Sequence, residues 1–131
     1  MIFSKQAIQQ VIRQKKLIIS PFTEEQIEAA HINLHLSTPD GKPLVMKPKS
    51  FMTAKTKEKI ALSKDLCAFI EGRASVAKQG ISVEQSSTFI EPGSNNHMVL
   101  EMFNASDDTV ELRDGQEIAK MFVMAVVNST G

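Results

Sequence analysis

The six residues HINLHL, positions 31–36, decide the fold of this chain. Ile32, Leu34 and Leu36 alternate with His31, Asn33 and His35, and a period of two places the aliphatic residues on one side of a strand. Before this point the apolar spacing is helical. Ser4 is a helix cap for KQAIQQVIRQ (5–14), whose Ala7, Ile8, Val11 and Ile12 form one stripe. Lys15 and Lys16 come next, where a helix dipole favours positive charge. LIIS then runs into Pro21-Phe22, where proline stops regular structure, and residues 24–30 read as one acidic turn. After residue 36 the helical period does not return.

The rest of the chain is a series of short strand-like runs. They are LVMK, FMTAKT, EKIAL, DLCAFIEG, GISVEQ, STFI, HMVLEMFN, TVELR and EIAKMFVMAVV, separated by Pro, Gly, Asn, Asp or Ser. Asp40-Gly41 and Asp114-Gly115 are read as hairpin turns. Many short strands with turn residues between them predict a sandwich or barrel. The expectation is a single mainly-β domain over residues 1–131 with a short N-terminal helix.

Composition narrows the function classes. Fifteen acidic and fifteen basic residues balance, so no bulk charge recruits nucleic acid or an anionic membrane. No apolar run of about eighteen residues is present to span a bilayer. The N-terminus lacks a secretory apolar core, and the lone Cys67 excludes an internal disulfide and suits a reducing cytosol. A cytoplasmic protein is therefore expected, with Cys67 as a buried thiol. The seven aromatic residues are all phenylalanine.

Two segments carry chemistry. In HMVLEMFN (97–104) both faces are apolar, so the strand reads as buried on both sides, with Glu101 inside it. Desolvation would raise the pKa of that carboxylate and fit it for general acid/base work. The plainer alternative pairs Glu101 with a structural Lys or Arg, or turns it to solvent at an edge. In IEGRASVAKQGISV (70–83), Arg73 and Ser75 stand at a strand-to-helix junction, where a guanidinium, a hydroxyl and free N–H groups can cradle phosphate. Here the plain alternative is a surface arginine and a serine cap. His31 and His35 lie about 13 Å apart along an extended strand, too far for one zinc ion. EPGSNN (91–96), holding Glu91, reads as a structural turn.

In order along the chain, five segments resemble the dCTP deaminase and dUTPase superfamily. MIFSKQAIQQVIRQKKLIISPF is similar to the deaminase branch's opening helix and "I-x-P-F" strand, and QIEAAHINLHL to its "Q-x-x-A-S-V-D-L-R-L" segment. EGRASVAKQGISV resembles "E-G-R-S-S-L-A-R-x-G-L-x-V". FIEPGSNNHMVLEMFN resembles "F-I-D-P-G-F-x-G-H-I-T-L-E-L-x-N", and LRDGQEIAKMFV resembles "L-x-P-G-M-x-I-A-Q-L-x-F". The opening helix favours the deaminase branch.

The resemblance implies a distorted jelly roll, or β-clip, assembled as a homotrimer with sites between subunits. It implies a deoxynucleoside triphosphate ligand, dCTP or dUTP, with magnesium carried on its phosphates and no zinc. By the same resemblance Glu101 is the catalytic glutamate that activates water against C4 of cytosine. Arg73, Ser75 and Lys78 hold phosphate, and Glu91 is the base of the dUTPase branch or a contact to magnesium-bound water. Several positions depart from the pattern. Ala74 replaces a serine that helps hold water, Lys78 an arginine, Asn33 and Glu91 aspartates, and Lys120 a glutamine. The family's C-terminal glycine-rich arm and lid have no counterpart after VVNSTG. Three functions stand as expectations: hydrolytic deamination of dCTP to dUTP, with or without triphosphate hydrolysis; a catalytically impaired or inactive trimer that binds a nucleotide or a protein partner in regulation or assembly; or a structural trimer with no ligand.

Overall fold

The structure, a computed structural model, describes residues 1–86 and 89–127. Helix α1 (Lys5–Arg13) begins as read from the sequence, with Ser4 Oγ accepting from the Ala7 amide at 3.3 Å. It buries Ile8 and Val11 and ends before Lys15, whose φ of 60° breaks the helix. Strand β1 (Leu17–Ser20) is next in the chain, then a single 3₁₀ turn at Glu24–Gln26.

The remaining elements are β2 (Ile32–Ser37), β3 (Leu44–Met46), β4 (Phe51–Leu62), β5 (Leu66–Gly72), a four-residue helix α2 (Ala74–Ala77), β6 (Ile81–Ser82), β7 (Phe89–Ile90), β8 (Asn95–Asn104), β9 (Val110–Leu112) and β10 (Glu117–Ala125). The main sheet runs β6-β8-β4-β2-β10-β5-β7, with β1 also pairing β4, while β3 and β9 form a separate pair. Every strand pairing among the described residues is antiparallel. The mainly-β expectation with one short N-terminal helix holds.

Both predicted hairpins are absent. Pro39–Gly41 is a 3₁₀ turn with Asp40 at φ 55°, and it joins β2 to β3, which do not pair. Asp114-Gly115 likewise joins β9 and β10, which lie in different sheets. A tight turn fixes a local chain reversal and not the partner of each strand. FMTAKT and EKIAL are one strand, β4, whose register against β8 shifts between Lys55 and Lys59. Thr56 mends that irregularity. Its hydroxyl donates to the Glu58 carbonyl at 2.8 Å and accepts from the Met98 amide at 3.0 Å. Half of the STFI strand, Ser87 and Thr88, lies outside the described residues, as do residues 128–131.

The core takes the predicted face of β2, with Ile32, Leu34 and Leu36 fully buried, together with Leu100, Met102, Met121 and Val123. Each such side chain contributes about 1.5–3 kcal/mol by leaving water. One polar cluster lies within this apolar setting. Glu58, 1% exposed, accepts from the His35 amide at 2.9 Å, His35 Nδ1 at 2.6 Å and Gln26 Nε2 at 3.0 Å. The same Gln26 amide donates to the Asn33 carbonyl at 2.9 Å. The Leu36 amide bonds Gln116 on the β10 side, so the His35 amide faces β4, whose pairing with β2 covers only Leu36–Thr56 and Ser37–Lys55; a β4 carboxylate takes the place of the missing backbone acceptor.

Candidate functional site

Strand β8 buries only one face. Leu100, Met102 and Asn104 point inward, whereas Val99 is 50% exposed and Glu101 and Phe103 are half-buried. The doubly buried strand expected from the sequence is thus corrected, and with it the expected rise in the Glu101 pKa. Ser86 Oγ donates to Glu101 Oε1 at 2.6 Å and the Ser86 amide donates to the same oxygen at 3.1 Å. These two bonds hold the carboxyl below the usual carboxylate range, outweighing the desolvation that opposes them. Glu101 is an ionised acceptor at neutral pH.

A cavity of about 600 Å³ opens in front of it, lined among others by Lys55, Glu84, Glu91, His97 and Glu101. Glu91, on the exposed turn before β8, lines the same cavity as Glu101. His97 also lines it, with Nδ1 at 3.1 Å from the Thr56 carbonyl oxygen. The other two histidines are engaged elsewhere, His35 on Glu58 and His31 on Asn33 Oδ1 at 3.2 Å.

The three phosphate residues implied by the resemblance do not line this cavity. Strand β5 ends at Gly72, and Arg73 takes the cap position of α2 with an extended backbone. Ser75 sits one residue inside α2 and is exposed, so it is not the helix cap; Lys78 comes just after the helix and is exposed too. The half-buried Arg73 donates from Nη1 to Asn33 Oδ1 at 2.6 Å. Within one chain Arg73 and Lys78 therefore lie outside the carboxylate cavity, whose one lining cation among the described residues is Lys55.

Sequence reasoning misses three participants. Ser86 lies in a serine-rich turn with no spacing signal that links it to Glu101 fifteen residues on. Asn33 stands out in the sequence as a departure but not as the holder of Arg73, because a contact across 40 positions leaves no local pattern. Glu84 looks like an ordinary member of a strand, yet it comes after β6 and lines the cavity beside Glu101. Burial and the Glu101 charge push its carboxyl above the usual range. Its Oε1 is buried with no hydrogen-bond partner among the described residues.

Comparison with known proteins sets this geometry in a family. The family model described as dCTP deaminase-like matches residues 35–126. A "dCTP deaminase, dUMP-forming" of Salinispora tropica is 32% identical over 88 residues, covering 67% of this chain and 46% of the relative. The chain thus spans about half the length of that relative. One of the same name from Persephonella marina is 25% identical over 148 residues, covering 92% of this chain and 82% of the relative. Among solved structures, the 2'-deoxycytidine 5'-triphosphate deaminase of Agrobacterium tumefaciens superposes with a TM-score of 0.77 at 15% identity, over 93% of this chain and 47% of its own. The EIAV dUTPase gives 0.70 at 18% identity, over 88% of this chain and 92% of its own. These two likenesses establish the fold, a dUTPase-like curled antiparallel sheet. The match to the family model extends from β2 to the end of β10, and the chain belongs to the dCTP deaminase-like family.

Proposed function

We propose that this chain is a hydrolytic dCTP deaminase whose site is completed by a second copy. The observation that carries the reading is Glu101, an ionised carboxylate held by Ser86 at the wall of a nucleotide-sized cavity. Water placed between Glu101 and C4 of cytosine would lose its proton to the carboxylate as the new C–O bond forms. Arg73, Ser75 and Lys78 of a neighbouring copy would meet the phosphates, a reading supported by their absence from the lining of the Glu101 cavity within one chain. Lysine at 78 supplies charge without the planar fork of arginine, so it holds phosphate as a point charge. Glu91 is exposed on the cavity rim, and its carboxylate makes no ion pair among the described residues. A carboxylate so placed fits a magnesium ion that keeps its waters and travels with the phosphates. Bound there, magnesium would neutralise phosphate charge.

A second reading is nucleotide binding without turnover in a regulatory trimer. It draws on Ala74, which offers no hydroxyl to water, and on the depressed rather than raised pKa of Glu101, which makes it a weaker base. One incubation separates the two. Purified protein is given dCTP or dUTP with magnesium, and ammonia and pyrophosphate are scored while calorimetry tracks binding. The relatives' "dUMP-forming" name makes pyrophosphate release from dCTP the second product to measure. Deamination lost in Glu101→Gln by at least about a hundredfold supports the enzyme. Binding with neither product supports the regulatory reading.

A further inference from the structure

Glu101 does not stand alone in its cavity. The Glu101 amide donates to the Val83 carbonyl at 3.1 Å, which brings the next residue, Glu84, onto the adjoining wall of the same cavity. Glu84 is only half-exposed, and its Oε1 is closed off from water without a partner among the described residues. A buried carboxylate oxygen with no donor is costly when charged and tolerable when protonated. Glu101, equally half-buried, differs in its hydrogen bonds. Ser86 supplies it with two donors, and it takes them as an anion. Two neighbouring carboxyls in such unequal settings divide the roles of acid and base.

We propose that Glu84 is a second catalytic carboxyl of this site, carrying the proton that Glu101 lacks and delivering it to the departing nitrogen. The inference rests on the deamination reading above and names the acid in that reaction. Glu101 takes a proton from water while oxygen bonds to C4, and passes that proton to ring N3. The exocyclic nitrogen takes the Glu84 proton, the C4–N bond breaks with its electron pair on nitrogen, and ammonia leaves. Glu101 collects the hydroxyl proton as the C4 carbonyl forms, and the proton returns from Glu101 to Glu84. The sum is water plus cytosine giving uracil plus ammonia, with atoms and electrons in balance. Burial first and the adjacent Glu101 charge second raise the Glu84 carboxyl above the usual range, outweighing the Glu101 amide that opposes them, which is the direction a proton-carrying group needs. Lys55, Glu91 and His97 are the other charged or titratable groups facing the cavity.

The test uses two independent measurements on the full chain. First, carbon-13 NMR of labelled glutamate carboxyls is recorded across pH in the wild type, Glu84→Gln and Glu101→Gln. One carboxyl is expected to titrate above the rest, to vanish in Glu84→Gln and to move down in Glu101→Gln as the like charge is removed. A Glu84 resonance that titrates with the exposed glutamates overturns the shared-proton arrangement. Second, kcat and KM for dCTP are measured against pH. Glu84→Gln is expected to lower kcat about a hundredfold with KM little changed and to abolish the alkaline fall in rate, while Glu84→Asp restores part of it. An unchanged kcat and pH profile in Glu84→Gln overturns the acid role even where Glu101→Gln is dead. Wild-type protein that releases no ammonia overturns the deamination reading and the acid role with it, and the NMR titration still decides where the proton sits.

Discussion

An arginine held by an amide keeps its whole charge. Arg73 donates to the neutral Asn33 side chain, and no ion pair to it is present among the described residues. A carboxylate in the same place would spend part of that charge inside the chain. Asn33→Asp is therefore expected to weaken binding of inorganic triphosphate and of dCTP about tenfold, roughly 1.4 kcal/mol, with no loss of thermal stability. Calorimetry reads the affinities and a thermal melt the stability, and unchanged affinity would show that Arg73 does not meet phosphate. At this scale the sequence shows which residue types carry chemistry but not their surroundings. Glu101 is conspicuous by its odd place in an apolar strand. Its true setting depends on Ser86, brought in by a turn, and period two cannot say whether a strand's second face is covered.

Elements show a different balance. The cap at Ser4, the strand at 32–37 and the stop at Pro21 are legible because each rests on neighbours in sequence. Strand partners are not, since Asp114-Gly115 looks the same whether it closes a hairpin or crosses between sheets. Asp114 has a different task. It accepts from the Thr38 amide at 2.9 Å and from Lys57 Nζ at 2.7 Å, and Lys57 first and Thr38 second hold its carboxyl below the usual range. A depressed pKa gives stability that is present above the ordinary value of about 3.9 and lost as pH falls through the lowered one. Asp114→Asn is expected to flatten the acid limb of stability, read by thermal melts from about pH 6 downward. The segment after α2 is equally constrained. Gly80 has φ +88°, and an added Cβ would lie 2.9 Å from Ser106 Cβ and 3.1 Å from its amide nitrogen. Gly80→Ala is expected to cost about 1–3 kcal/mol in urea unfolding.

For the whole molecule, the absence of Arg73, Ser75 and Lys78 from the Glu101 cavity makes the mass in solution the first quantity to measure. A trimer agrees with a site shared between copies, and a monomer at working concentration removes it. Stability rests on the common core, where Leu100 is fully buried. Leu100→Ala is expected to cost about 2–5 kcal/mol, read from the urea midpoint. That Met98, Leu100 and Met102 share one strand face is legible in the sequence. That β6 and β4 flank this strand is not, because strand order is settled by contacts far apart in sequence.

The β4 carboxylate that continues the β2–β4 ladder past its last backbone pair has a consequence for exchange with solvent. Where the ladder is intact, an amide proton is guarded by a carbonyl, and no side-chain substitution can remove the guard. At His35 the guard is Glu58. A single amide should therefore be releasable by one mutation. In Glu58→Ala the His35 proton should exchange with deuterium orders of magnitude faster than its neighbours Leu34 and Leu36, and in Glu58→Gln it should stay slow.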